Sequence, residues 1–323
     1  MIYKKSIKIN SIPYDIFFQL NFTKKKMSKS KVYFTKEITP ESLIRVYDAL
    51  KHDLPGKVAV KISTGEPGGH NFLDPNLIKK LVNKLDGTIV ETCTGFNMGK
   101  RCNPETHWQT FADHGFKSIA PCDLLDEDGT MKLPIRDSTH LHGYCIVGDH
   151  IKRYKSTLVL SHFKGHIRGG FGGALKNISI GFSSANGKIW IHTTGKSDDY
   201  KQYKNCEPIV QDEFLESMAE TCQAVVDFFK PENMAFVNVA NKLSIDCDCV
   251  PNPKDPEMKD LGVFASLDPV ALDQCCYDAV VNSDDPKKES LIKRMNEKHG
   301  VHTLEVAEKL GVGSRQYELI SID

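Results

Sequence analysis

Apolar positions along this chain fall into two patterns: short β-branched runs, and longer stretches with apolar residues at helical spacing. Val32, Tyr33 and Phe34 open the first run, and residues 57–62 and 88–92 repeat it, so three strands are expected. From Pro40 onward Leu43, Ile44, Val46, Tyr47 and Leu50 share one face of an amphipathic helix. Asp74 followed by Pro75 signals a helix start, running to residue 85, and a further helical segment spans 104–114. Residues 157–161 read as a buried strand. Residues 211–230 form a helix with Phe214, Met218, Cys222, Val225, Val226 and Phe229 on one face. Strands at 234–239 and 261–265 follow, then a helix opened by Asp268 and Pro269, and a last helix at 303–310 closed by Gly311.

Strand, loop and helix recurring in this order is the pattern of βαβ units. Residues 123–150, with turn chemistry at 126–129, read as an excursion between two halves. An α/β fold is therefore expected, its mostly parallel sheets forming two lobes, 32–150 and 151–323, around a central cleft. Residues 1–26 stand apart, with a basic start and a short apolar stretch interrupted by Asp15. They read as an extension ahead of a true start at Met27, the alternative being a targeting presequence. The folded domain is expected over 27–323.

Composition narrows the picture only a little. Lys plus Arg and Asp plus Glu number 42 each among 323 residues, so no net field draws the chain to nucleic acid or to an anionic membrane. No apolar run approaches the roughly 18 residues a spanning helix needs. Ten cysteines without a secretory signal read as reduced thiols in the cytoplasm, available as metal ligands or as buried apolar groups. A soluble cytoplasmic protein is expected, with no nucleic-acid or membrane partner.

The candidate chemistry gathers in residues 158–192. After the strand come His162, Lys164 and His166, then Gly169, Gly170, Gly172 and Gly173, broken only by Phe171. Lys176 lies ten residues beyond His166, and His192 sixteen beyond Lys176. A loop so rich in glycine turns sharply and lets a ligand reach the peptide N–H groups, and open α/β sheets build sites at the carboxyl ends of their strands. Neutral imidazole serves as base or metal ligand, and a partly desolvated lysine as nucleophile, base or anchor. Lys164 and Arg168 suit an anionic group on a substrate or cofactor. Taken singly, each histidine could equally be a satisfied turn residue, and the basic residues a surface cluster.

Cys247 and Cys249 would share one face of an extended segment, and two thiolates suit a soft metal such as zinc or iron. The bland reading is a buried pair of free thiols. Cys93, Cys102, Cys122, Cys145, Cys206 and Cys222 show no C-x-x-C spacing, and Cys275 and Cys276 lie on an apolar helix. No phosphate-binding G-x-x-x-x-G-K-[ST] motif occurs, nor a dinucleotide G-x-G-x-x-G in context.

The stretch SHFKGHIRGGFGGALKNISIG, the thiol stretch IDCDC, the later GVFASLDPVALDQ and the C-terminal AEKLGVGSRQYELI together resemble the uncharacterised family grouped as DUF362. That family is often described as iron–sulfur centre proteins, and the resemblance implies such a cluster. Many relatives place a ferredoxin-like cysteine run between the equivalents of His192 and Met234, where this chain has only Cys206 and Cys222. The segment from His166 to Lys176 is also similar to one in the lactate racemase family, which carries a nickel-pincer nucleotide cofactor. That resemblance implies His166 as catalytic base, Lys176 as the covalent anchor of the cofactor and His192 as a nickel ligand. At the racemases' second catalytic histidine this sequence has Lys100, between Gly99 and Arg101.

The expectation is an enzyme dependent on a metal (nickel or iron) or cofactor, acting on a small anionic molecule. His166 and Lys176 are its catalytic candidates; Lys176, Gly172, Gly173, Lys164 and Arg168 its cofactor contacts; His192, His162, Cys247 and Cys249 its metal ligands. The alternative is an iron–sulfur or other metal-carrying redox protein built on Cys247 and Cys249. Three placements follow: His166, Lys176 and His192 on one cleft; the thiols beyond strand 234–239 near it; and a helix start at Lys176 whose N–H groups attract an anion.

Overall fold

The computed structural model describes residues 29–95, 99–199 and 210–323. The extension at 1–26, Met98 and Cys206 lie outside the described residues. Five parallel strands form the body of the main sheet: β2 (Val58–Lys61), β3 (Thr88–Glu91), β4 (Cys122–Leu124), β7 (Ser156–His162) and β10 (Met234–Ala240). β11 (Gly262–Ser266) runs against β10, and β1 (Ser30–Thr35) and β12 (Tyr317–Ser321) complete the edge. The order is β12-β1-β11-β10-β7-β2-β3-β4, with β11 the one strand of opposite direction. Strands of both expected lobes share this sheet, since β2 pairs with β7 and β1 with β11. The segment between them forms a separate hairpin, β5 (Thr130–Pro134) and β6 (Tyr144–Gly148).

Continuous apolar runs become central strands because both faces are covered. All seven residues of β7 and all seven of β10 are buried. Leu158, Leu160, Val237 and Val239 face α1 (Pro40–Asp48), α2 (Pro75–Lys84) and α3 (Pro104–Asp113) through Leu43, Ile78, Leu81 and Phe111. Val159, Met234 and Phe236 face α4 (Ala174–Phe182), α6 (Gln211–Phe229) and α7 (Pro269–Val281) through Ile178, Phe182, Phe214 and Leu272. Full burial of each such side chain contributes about 1.5–3 kcal/mol. Predicted helix starts match their caps: Asp74 accepts from the Asn76 amide and Asp268 from those of Val270 and Ala271.

Parallel strands put all their carboxyl ends on one rim of the sheet. Lys61 closes β2, Glu91 closes β3 and His162 closes β7, and the loop after β10 carries Cys247 and Cys249. Three chemistry-bearing side chains and both thiols therefore meet at one rim.

Candidate functional site

A cavity of about 490 Å³ opens at this rim. Its lining includes all ten residues singled out in the sequence, from His162 and Lys164 through Lys176 and His192 to Cys247 and Cys249. The glycine-rich stretch is a small hairpin rather than an open loop. β8 (Lys164–His166) pairs antiparallel with β9 (Gly170–Gly172). Gly170 has φ +77, a conformation that favours glycine. A Cβ on Gly172 would touch Lys176 Cδ at 3.6 Å and Lys164 Cε at 3.9 Å, so this glycine forms the floor beneath two lysine stems.

α4 starts directly after Gly173, but its first amides are already taken. Asp273, on α7, accepts from the Ala174 amide at 2.7 Å and the Leu175 amide at 2.9 Å, and a Cβ on Gly173 would collide with its Oδ1. The expected anion site at this helix start is therefore filled by a side chain of the protein itself. Gly173 is small because Asp273 must approach it.

His166 and His192 are both neutral and carry their ring protons on opposite nitrogens. The backbone amides of Arg168 and Gly169 point at His166 Nδ1, at 3.2 and 2.8 Å. Amides only donate, so Nδ1 accepts and the ring proton sits on Nε2, which lies 3.9 Å from Cys249 Sγ. Burial, reinforced by Lys176, His192 and Lys164, holds the imidazole well below its ordinary range. His192 Nδ1 instead faces the Lys188 carbonyl at 2.6 Å and donates to it, which makes Nε2 the lone-pair nitrogen. Burial lowers this group to about 4 against the opposing carbonyl bond. His162 differs from both. Its Nδ1 faces Asp248 at 3.0 Å and its Nε2 faces the Asn241 carbonyl at 2.7 Å, so neither nitrogen offers a lone pair to a metal. Expected as a ligand, it is a tether between β7 and the thiol loop.

Lys164 is likewise engaged, donating to the His162 carbonyl at 2.9 Å and to Asp248 Oδ2 at 2.6 Å. The carboxyl of Asp248 is buried, which alone would raise it, but His162 and Lys164 hold it far below the carboxylate range. The Lys176 amine has no hydrogen-bond or ion-pair partner among the described residues. Burial first, then the charge of Lys164, lowers its amine to about 7, with Asp248 opposing. Arg168 is exposed at the mouth of the cavity beside Ile167.

Cys247 and Cys249 come together through a turn, not through the alternation of an extended strand. The Val250 amide donates to the Cys247 carbonyl at 3.0 Å, and the Cys249 amide to Cys247 Sγ at 3.2 Å. The two sulfurs are in contact, with Cα atoms 5.3 Å apart, within disulfide reach. Cys247 is buried and Cys249 exposed. Donor atoms of His166, Cys247 and Cys249 all lie within 4.8 Å of one another, a grouping that could hold a metal ion. Cys222, by contrast, is buried on α6 against the Leu175 carbonyl, and Cys275 and Cys276 are core.

Several wall residues escaped the sequence reading. Lys61, only 1% exposed, donates to Glu91 at 3.1 Å, and Arg101 bridges Glu91 and Glu66 at 3.1 Å each. Burial raises Glu91, yet Lys61 and Arg101 bring it down to about 2. Lys188 donates to Thr92 Oγ1, the Cys93 carbonyl and the Ser183 carbonyl. A charged residue ending a buried strand, as Lys61 and Glu91 do, was the available signal. Lys100 itself is exposed; its amide donates to Glu66. Among the described residues the cavity thus has six cationic side chains, Lys61, Arg101, Lys164, Arg168, Lys176 and Lys188, against the carboxylates of Glu66 and Glu91.

Comparison with solved structures finds similarity to the lactate racemase apoprotein from Thermoanaerobacterium thermosaccharolyticum, at 15% identity and TM-score 0.42, over 77% of this chain and 56% of that one. A crystal structure of a Thermotoga maritima protein is similar at 10% identity and TM-score 0.38, over 85% of this chain and 59% of that one. The chain thus spans less than two thirds of the length of either. No curated protein matches it. The model of the domain of unknown function DUF362 matches residues 58–278, and the chain belongs to that family.

Proposed function

We propose that the chain is a metal- or cofactor-dependent enzyme that takes a small anionic molecule into the rim cavity, with Lys176 as the anchoring group. One observation carries this reading. Lys176 is a cationic side chain deep in a cation-rich wall, and among the described residues no acid hydrogen-bonds or ion-pairs with its amine, Asp248 acting on it only through space. Every other buried cation there has an oxygen partner: Lys61 and Arg101 have Glu91, Lys164 has Asp248, and Lys188 has three oxygens. A carboxylate or similar anion beside Lys176 would supply the missing partner.

The roles expected of the other residues fit unevenly. His192 suits a metal ligand, because its Nδ1–H is fixed on a carbonyl and Nε2 holds the lone pair. Lys176, with its amine near neutrality, suits a covalent or ionic anchor for a cofactor. A metal held there would supply Lewis acidity to the bound anion. His166 fits the expected base poorly, since its lone pair is committed to two amides. In this arrangement it offers an N–H from Nε2 toward developing negative charge.

Isothermal titration of wild type and Lys176→Met with a panel of small hydroxy- and dicarboxylates tests the reading. Binding to wild type that the variant loses, while the variant stays folded, supports it. Equal binding by both proteins overturns it. A second reading, a metal-carrying redox protein, is favoured by the convergence of His166, Cys247 and Cys249. Elemental analysis and visible absorption of anaerobically purified protein separate the two.

A further inference from the structure

Among the described residues, the thiol pair differs from the other cysteines in placement. Cys93, Cys145, Cys222, Cys275 and Cys276 are buried in the core, and Cys102 and Cys122 are half-buried. Cys247 and Cys249 are in contact at a cavity wall, Cys247 a buried residue and Cys249 an exposed one. An exposed attacking sulfur backed by a buried resolving one is the arrangement that thiol–disulfide exchange needs. The His166 Nε2–H lies beside the Cys249 sulfur, fixed there by the two amides on Nδ1. Because that nitrogen carries a proton, it donates to a sulfur anion more readily than it completes a three-donor metal site.

We infer that Cys247 and Cys249 form a working dithiol–disulfide couple that reduces small disulfides, with a preference for those bearing carboxylates. In the first step the Cys249 thiolate attacks one sulfur of the substrate RS–SR. A Cys249–SR mixed disulfide forms and RS⁻ departs past the His166 N–H. In the second step Cys247 attacks Cys249 Sγ, closing the Cys247–Cys249 disulfide and expelling the second RS⁻. The two thiol protons of the protein end on the two RSH products, so two electrons pass from the dithiol to the substrate. A dithiol reductant of the thioredoxin or small-dithiol class returns the couple to its reduced state. The substrate's carboxylates would meet Lys176 and Arg168, and this preference alone rests on the anion reading given above.

The test uses the reduced, native full chain and one equivalent of dithiobis-nitrobenzoate, a disulfide with two carboxylates, with neutral dithiodipyridine as comparator. Wild type is expected to release both halves of the reagent and to show, by peptide mass, a Cys247–Cys249 disulfide with no adduct. Cys247→Ser should release one half and keep the other on Cys249. A wild-type protein that keeps an adduct on Cys249, or reacts at other cysteines while this pair stays reduced, overturns the couple. Differential alkylation of wild type across a glutathione redox series needs no variant; the pair should oxidise together, and oxidation of neither overturns the couple equally. Reaction with the neutral reagent at a rate equal to that with the anionic one would remove the carboxylate preference and leave the couple standing; about tenfold faster reaction with the anion is expected.

Discussion

Asp248 Oδ2 accepts from Lys164 Nζ at 2.6 Å, with both side chains buried, and this pair ties the β8–β9 hairpin to the loop that carries the two thiols. Because Asp248 stands between Cys247 and Cys249, its anchoring also sets the turn that joins their sulfurs. Its backbone carbonyl meanwhile accepts from the Glu66 amide at 2.7 Å, reaching the loop after β2. One residue thus pins three of the rim's loops.

Asp248→Asn should accordingly be strongly destabilising. It leaves the Lys164 ammonium buried without its counter-charge, a change that costs roughly 3–5 kcal/mol. Urea unfolding of wild type and variant measures it. The Asp248 carboxyl is held far below its unfolded value, so its stabilisation is present above pH about 4 and is lost as pH falls toward the lower, folded value. A variant as stable as wild type at neutral pH would contradict the pinning role.

Asp273 gives a second pH signature, of opposite sign. Burial raises its carboxyl to about 6 against the Leu175 and Ala174 amides and Asn238. The folded protein therefore keeps this proton over a range where the unfolded chain, at about 3.9, has lost it. Its contribution to stability is full below pH about 4 and declines as pH rises toward about 6, by roughly 3 kcal/mol at most. Asp273→Asn should flatten this slope in thermal unfolding followed from pH 4 to pH 7, while leaving one amide of α4 without its acceptor.

Anion binding should depend on the charge of Lys176. With the amine near 7, affinity for a small carboxylate should be constant below that pH and fall about tenfold per unit above it. The free protein shows the linked effect: charging a desolvated amine costs stability, so the penalty is full below pH about 7 and is relieved as pH rises toward the unfolded value of about 10.4. Lys176→Met should lose both dependences, in calorimetry and in denaturant titration respectively.

The sequence made the α/β order readable because the central strands are continuous apolar runs and the helices α2 and α7 carry their caps locally, at Asp74 and Asp268. α4 was legible only as a helix start after the glycines, and α5 (Ala185–His192) was not legible as a helix. Asp273 caps α4 from a distant helix, and α5 is buried on nearly every side, including Lys188 and His192, so no polar face marks its period. The lining residues in 158–192 were legible from their density of titratable groups around glycine. The second wall was not, because Lys61, Glu66, Glu91 and Arg101 sit far apart in sequence and become one network only through the pairing of β2 with β3. Nor does spacing reveal that His166 and His192 hold their protons on opposite nitrogens; the backbone groups around each ring set that.

The most direct measurement is the reactivity of the Lys176 amine. Trace acetylation of the native protein across pH, read peptide by peptide by mass, reports the ionisation of each lysine. Lys176 should titrate near 7, far below the surface lysines, and addition of a small dicarboxylate should suppress its labelling while leaving theirs unchanged. Titration of Lys176 together with the surface lysines, indifferent to added anion, would contradict a cavity built to receive one.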